Sequence, residues 1–585
     1  MKQFLKFMIA SSLGLVIGVF SIAIIIGLVV SSGDSKEVKL DEAHILHLEL
    51  KGNIEDRVEN MPFDLGEFSG ENNTSLGLNY ILANIKKAES DPNIKGIFLD
   101  MGFINCGFAT LEEIRNALIE FKKSGKIITS YSEIYTQRAY YIASVADSIC
   151  IYPEGALELK GLNNTVVFYT NALEKLGVEP QIIRHGEFKS AVEPFMNTKM
   201  SDASRKQVKA YMSSIWQHYL EKVAIDREIR KEDLSIIVEN LKIRTPKDAL
   251  KLGLVDHVFY KDQLENYFTQ WMEVENYKDV KFISHRKYTS IQNEDLTEKF
   301  KKEKIAVIYA QGEIMSGEGN ETVIGSERIS KALRKARKDD EIKAIVLRIN
   351  SPGGSALASD VIWREMKLAQ KEKPLVVSMA DVAASGAYYI ACAADKIYAS
   401  PNTLTGSIGV FGILMNFKEL LTDKLGLTFD QVKTNKFADI GYPNRAMTKE
   451  EYNIIHESVV EIYDDFVSKV AEGRNLSVAE VDAIGQGRVW SGVNAQNINL
   501  IDQYGGLEDA IKGAAELAEM DNYRTIDMPE PIDPFQKLIG ELEENVKSSW
   551  VKHQLGEQYI YYKTLEELKD LKGIQARMPY QFIMD

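Results

Sequence analysis

The chain has 585 residues, 45% hydrophobic and 26% charged, which is too long for one hydrophobic core and ordinary enough for a globular protein, so two to four domains are expected. A net charge of −15 argues against a nucleic-acid surface, which relies on basic patches to neutralise phosphate. Three cysteines, Cys106, Cys150 and Cys392, form no disulfide framework and no metal-ligand spacing, and their apolar surroundings read as inert core thiols.

The first element is apolar. From Phe7 to Val30 run 24 residues without a charge. At 1.5 Å per residue that is about 36 Å of helix, enough to cross a bilayer's hydrocarbon core. Lys2 and Lys6 precede it, and Asp34, Glu37 and Asp41 follow. The asymmetry predicts a cytoplasmic N-terminus with the rest of the chain outside. A cleavable signal peptide competes, with Val30-Ser31-Ser32-Gly33 as a weak small-residue site. The run is longer than the apolar core of such peptides, which favours an uncleaved anchor over residues 1–33. No cysteine lies near it, so a lipoprotein is excluded, and no later segment is long and uncharged enough to span.

Beyond the anchor the chain repeats itself. Residues 131–153 (YSEIYTQRAYYIASVADSICIYP) return 248 positions later at 379–401 (MADVAASGAYYIACAADKIYASP), and nine of the fifteen positions from Ala139/Ala387 to Pro153/Pro401 are identical. Ile94–Leu99 matches Ile342–Leu347 at the same offset, and Lys175-Leu176-Gly177 matches Lys424-Leu425-Gly426 at 249. The repeats occupy 43–275 and 303–529, with the charged, turn-rich stretch 276–302 read as a linker and 530–585, which matches neither copy, as a C-terminal extension. In the second copy Ile345–Ile349, Leu375–Met379 and Lys396–Ala399 read as strands, and Ala358–Gln370 and Gly386–Ala394 as helices. This alternation predicts βαβ units and a largely parallel sheet. Ligands of such folds gather at the carboxyl ends of the strands.

The copies differ where chemistry is carried. Ser385, between a strand and a helix in Ala383-Ala384-Ser385-Gly386-Ala387, is replaced by Gln137 in the first copy. A serine there is ordinarily a helix cap. Its small neighbours also let a substrate backbone approach, and helix-terminal N–H groups favour an oxyanion. The Gly-x-Ser-x-Gly elbow is absent from the chain. Asn350-Ser351-Pro352-Gly353-Gly354-Ser355 can turn backbone N–H groups outward as an oxyanion cradle or be a plain turn. The first copy has Gly102–Gly107 there, without Pro-Gly-Gly, so cradle and serine are present or absent together. The eight histidines fall in no triad-like text, although sequence distance alone does not exclude a partner. A lysine can serve as base if desolvation draws its pKa from about 10.4 towards neutrality. Lys189, in the apolar, small-residue run FKSAVEPF (188–195), fits; its counterpart 249 positions later is Ala438. The first copy keeps a lysine and lacks the serine, the second the reverse. That pattern predicts one composite site between the halves.

FKSAVEPF (188–195), NSPGG (350–354), DVAASGAYY (381–389) and LTGSIGVFG (404–412) together resemble the signal peptide peptidase A (protease IV) family in its long, duplicated form, over nearly the whole chain. The resemblance implies an α/β chain of two tandem Clp-protease/crotonase-like domains after the transmembrane helix. It implies a serine protease with Ser385 as nucleophile, Lys189 as general base and Ser407 orienting the lysine. The amides of Gly386 and of Gly353 or Gly354 would form the oxyanion hole, with no metal or cofactor. The family's substrates are hydrophobic remnant signal peptides. Its members form ring- or dome-like homo-oligomers, with a tetramer among the candidates, in the bacterial inner membrane. A crotonase-like acyl-CoA enzyme and a catalytically silent membrane scaffold are the rival readings. The first would not need a paired Ser and Lys across two repeats; the second would not need Ser385, Lys189 and Ser407 intact.

Overall fold

The computed structural model describes residues 42–58, 75–291, 302–530 and 574–578, besides the single positions 6, 14 and 40. The expected anchor over 7–30 therefore lies outside the described residues but for Gly14, and among those described no helix is long and apolar enough to cross a membrane.

Two sheets carry the two copies. The first has seven strands and is centred on β1 (His44–Glu55), β2 (Ile94–Asn105), β3 (Ile127–Tyr135) and β4 (Ser148–Leu157), adjacent in that order and parallel. Phe282–Ser284, in the stretch read as a linker, adds a parallel strand to β1. The second has eight strands and repeats the order with β5 (Lys304–Gln311), β6 (Ile342–Ser351), β7 (Leu375–Ala384) and β8 (Lys396–Ala399). Central strands buried on both faces need near-continuous apolar text, and β6 has it: Ile342 and Ala344–Leu347 are at most 1% exposed. Burying each such aliphatic chain contributes roughly 1.5–3 kcal/mol before conformational entropy is subtracted.

The shared residues are packing residues in both halves. Tyr140 Oη donates to the Leu254 carbonyl at 2.6 Å, and Tyr388 Oη to the Leu500 carbonyl at 2.8 Å. Asp147 accepts from the Ile128 amide and Asp395 from the Leu375 amide, each at 2.8 Å. The Asp256 and Asp502 carboxylates hold Arg227 and Arg474 at 2.7 and 2.8 Å. The duplication therefore extends to individual hydrogen bonds.

The second copy's elements differ from the sequence reading at their ends. Strand β7 runs on past the expected end at Met379 to Ala384, and Asp381 within it is turned against the first copy: it accepts from Gly107 N and Thr110 N at 3.0 and 2.9 Å. The helix after it stops at Ala391, where the chain turns so that Asp395 can bond Leu375. Pairing of β6 with β7 slips between Ile349–Met379 and Ser351–Ala383, a bulge at the carboxyl end of the sheet. A buried triad also joins the halves: Arg348 Nε donates to Asp56 Oδ1 at 2.8 Å and Nη2 to Glu113 Oε1 at 2.6 Å.

A third sheet of six strands is built across the halves. Glu179–Arg184 of the first copy pairs antiparallel with Phe411–Asn416 of the second, and Gly353–Ser355 lies in the same sheet. This sheet brings the lysine loop, which follows Glu179–Arg184, onto the second copy.

Candidate active site

Ser385 follows β7 directly and precedes the helix Gly386–Ala391, with φ 57° and ψ −114°. A positive φ costs a residue with a Cβ of order 1–3 kcal/mol and persists only where the surroundings impose it. Here backbone bonds do so: Ser385 N donates to the Gly406 carbonyl at 2.8 Å, and the Ser385 carbonyl accepts from Tyr389 N at 2.9 Å. The hydroxyl makes no capping bond, so the cap reading falls away. It donates instead to the Gly409 carbonyl at 3.2 Å. In the first copy the cap is made one position earlier, by Thr136 Oγ1 accepting from Ala139 N at 3.2 Å.

Lys189 comes to this serine from the other half. Its Nζ lies 2.8 Å from Ser385 Oγ, 3.1 Å from Ser407 Oγ and 3.2 Å from the Ser407 carbonyl. The side chain is wholly buried, and burial alone pushes its ammonium pKa well below the usual lysine value, with no charged partner opposing the shift. Two glycines make room for it. A Cβ on Gly487 would fall 2.7 Å from Lys189 Cα, and one on Gly409 would fall 3.4 Å from Lys189 Cδ. Ser407, itself at φ 50°, is tied by its amide to the Arg488 carbonyl at 2.7 Å, which fixes the acceptors around Nζ.

Gln207, on the helix Asp202–Asp226, has no mark in the sequence yet clamps the lysine loop. Its Nε2 donates to the Phe188 carbonyl at 3.0 Å and to Ser190 Oγ at 2.9 Å, and its Oε1 accepts from Val489 N of the second copy at 3.0 Å. Phe188 N donates to the Gln486 carbonyl at 2.8 Å on the same seam. A lone amide in a long helix looks like a surface residue until its neighbours across the seam are known.

Gly353, Gly354 and Gly386 converge beside Ser385. A Cβ on Gly353 would lie 2.8 Å from Gly386 N, and one on Gly386 would lie 3.3 Å from Gly354 N. Gly353 and Gly354 have φ of 99° and 156°, conformations that glycine adopts at little cost. The amide of Gly353 donates to Ser351 Oγ at 3.1 Å.

The first copy's equivalent position is plugged. Gln137 Oε1 accepts from Lys160 N and Gly161 N at 2.8 and 2.7 Å, and its Nε2 donates to the Gly161 carbonyl at 3.0 Å. Ala438, the counterpart of Lys189, lies exposed in a turn. Among the described residues, His47 is engaged with Asp100, His218 with Glu112, His285 with Asn84 and His185 against Tyr463. Among the described residues no group of three or more His, Cys, Asp and Glu side chains is placed to hold a metal. What remains is a hydroxyl, a desolvated amine and convergent backbone amides, the parts needed for acyl transfer.

The peptidase family S49 profile matches this chain twice, over residues 120–275 and 367–521. The chain belongs to peptidase family S49. The Clp protease profile also matches residues 297–405. Protease 4 of Salmonella typhi is 37% identical over 453 residues, covering 75% of this chain and 72% of that protein. The chloroplastic serine protease SPPA of Arabidopsis thaliana is 31% identical over 547 residues, covering 92% of this chain and 78% of its own. A putative signal peptide peptidase SppA of Enterococcus faecium is 35% identical over 227 residues, 38% of this chain and 65% of that protein. The S49 chain is thus a serine protease of two tandem, Clp-protease-like α/β domains, which bears out the family, fold class and enzyme class read from sequence.

Proposed function

We propose that this S49 protease is a membrane-anchored endopeptidase that hydrolyses hydrophobic peptides with a Ser385–Lys189 dyad. The observation that carries the reading is the 2.8 Å approach of a fully buried lysine amine to a serine hydroxyl. Repeat 43–275 supplies the base and repeat 303–529 the nucleophile and oxyanion amides.

Neutral Lys189 Nζ accepts the Ser385 hydroxyl proton as Oγ attacks the substrate carbonyl. Ser407 Oγ and its carbonyl accept from the resulting ammonium and keep it aimed at Oγ. The amides of Gly386 and of the Gly353-Gly354 turn donate to the oxyanion, an arrangement in which removal of one donor costs about 10²–10³ in rate. Lys189 then protonates the leaving amine, and a water repeats the cycle to release the acyl group as a carboxylic acid.

Apolar residues 7–30 hold the protease in the bacterial inner membrane with both repeats on the periplasmic side, beside the peptides left there by secretion. Remnant signal peptides are the substrate class that suits such an anchor, and the Enterococcus relative, a putative signal peptide peptidase, points the same way. Copies assemble as a ring or dome. Ser385→Ala and Lys189→Ala should each abolish hydrolysis of a hydrophobic peptide ester while leaving the fold intact. Near wild-type turnover in either variant would refute the dyad.

A further inference from the structure

Arg488 is a cation without an anion. Its guanidinium carbon lies 3.9 Å from the centre of the Trp490 ring and 5.1 Å from that of Phe188. Among the described residues no carboxylate pairs with it, and its Nε is buried without a hydrogen-bond partner. Burial lowers its pKa with no charge opposing the shift. In a chain with 85 acidic side chains against 70 basic ones, this unpaired, partly desolvated guanidinium is held by two rings instead.

The stack crosses the seam at the residues that meet the dyad. Phe188, from the first copy, immediately precedes Lys189, while Arg488 and Trp490 belong to the second. The Arg488 carbonyl accepts from Ser407 N at 2.7 Å, and its neighbour Gly487 is the residue packed against Lys189 Cα. A Cβ on Gly406 would fall 2.8 Å from Trp490 Cδ1, and the Gly406 carbonyl holds Ser385 N. One side of the stack therefore belongs to the loop of the base, and the other to the segment that fixes Ser407 and the backbone of Ser385. The three stacked side chains are half-buried, whereas Lys189, Ser385 and Ser407 are wholly buried. TPKDALKLGLVD (245–256) returns 246 positions later as SGVNAQNINLID (491–502), so the counterparts of Arg488 and Trp490 are Lys242 and Arg244, both exposed. The copy without the serine has no tryptophan there.

We propose that Arg488 is a positioning residue of the composite site: its cation–π stack on Phe188 and Trp490 clamps the lysine loop to the second copy and holds Lys189 dry and aimed at Ser385. The proposal rests on the protease reading and adds to it a residue that touches neither substrate nor the reacting atoms. The titratable groups around the loop are His185 and Glu187 on it, Tyr463, against which His185 packs, Asp482, which accepts from Tyr463, and Arg488 itself. None of them shifts the amine, which burial alone displaces, so the clamp acts by excluding water. When it loosens, water reaches the amine, the pKa returns towards the ordinary lysine value, and less of the base is neutral at a given pH. A stack that only stapled the fold would leave the surroundings of Lys189 unchanged.

The test is a double-mutant cycle on the full-length chain: Arg488→Met, which keeps the length and loses the charge, Phe188→Leu, which loses the ring, and the two together. The pH dependence of kcat and KM is followed with a hydrophobic peptide ester. Each single variant is expected to lower kcat about 10-fold or more with KM little changed, and to move the acidic limb to higher pH. The double variant should lose no more than the worse single, and Arg488→Lys, which still stacks, should recover most of the loss. Losses that multiply, a limb that stays in place, or a rise in KM at unchanged kcat overturns the proposal; the last would make Arg488 a substrate contact. Urea denaturation of the wild type and the three variants of the cycle separates this failure from failure of the protease reading. If the wild type hydrolysed no ester, that reading would fall, while the clamp would still show as a double variant about 2- to 30-fold less prone to unfold than the product of the single effects. Single effects that simply multiply in urea would overturn the clamp.

Discussion

Lys189 Nζ reaches Ser385 Oγ at 2.8 Å across 196 positions of sequence, from one repeat into the other, and neither side chain has any exposed surface. On the proposed reading, base and nucleophile are divided between the two copies. The reciprocal positions hold no such pair: Gln137 is bonded to Gly161, and Ala438 lies in an exposed turn.

In the proposed mechanism the lysine acts as a neutral amine, and its pKa is pushed down by burial. Activity is therefore expected to rise with pH through this lowered value and to level off well below pH 10.5, the ordinary value for lysine. Stability has a matching sign. Between the lowered folded pKa and the unfolded value the unfolded chain binds the extra proton, so this group's contribution grows more favourable as pH rises through that window. Lys189→Met, which has no charge to desolvate, should raise the melting temperature at neutral pH and remove that pH dependence. The checks are a pH profile of kcat/KM and thermal melts over the same range.

Ser407 supplies two of the three acceptors around Nζ, one from its side chain. Ser407→Ala deletes a hydrogen bond to a charged group, worth about 1.5–3 kcal/mol, so kcat should fall about 10- to 100-fold. With one fewer acceptor for the ammonium, the acidic limb of the pH profile should move to lower pH. A merely structural serine would leave the limb unmoved.

The Arg348–Asp56–Glu113 triad joins the halves with all three side chains at most 7% exposed. Arg348→Met strands two buried carboxylates and should destabilise the protein by about 3–5 kcal/mol in urea denaturation. The triple change Arg348→Met, Asp56→Leu, Glu113→Leu should restore most of the loss, because similar-sized apolar groups replace a buried ion network at little cost. If the single and triple variants were equally unstable, the triad would not be what binds the seam there.

The pairing of Ser385 with Lys189 was legible in sequence because the repeat supplies an internal control: a position kept in one copy and lost in the other stands out against Tyr140/Tyr388 and Asp147/Asp395, which pack alike in both. The parallel strands were legible from continuous apolar text. What was hidden depends on contacts between distant segments. Gln207 is one amide in a helix of 25 residues, Gly487 is one small residue in a loop, and both matter only because the lysine loop lands on them. The extension of the strand past Met379 to Ala384 was likewise hidden, since Asp381 within it is held by Gly107 and Thr110 of the other copy. The strand Ile574–Arg577 has four residues and no counterpart in either copy, so no periodicity could announce it.

The most direct test of the composite site is the rate at which a fluorophosphonate labels the full-length protein, with the labelled peptide mapped and the rate followed against pH. The label is expected on Ser385, with a rate that climbs to a plateau well below pH 10.5 and falls at least a hundredfold in Lys189→Met, a loss of about 2.7 kcal/mol or more. Labelling at another residue, or wild-type labelling of Ser385 in a folded Lys189→Met chain, would contradict the account.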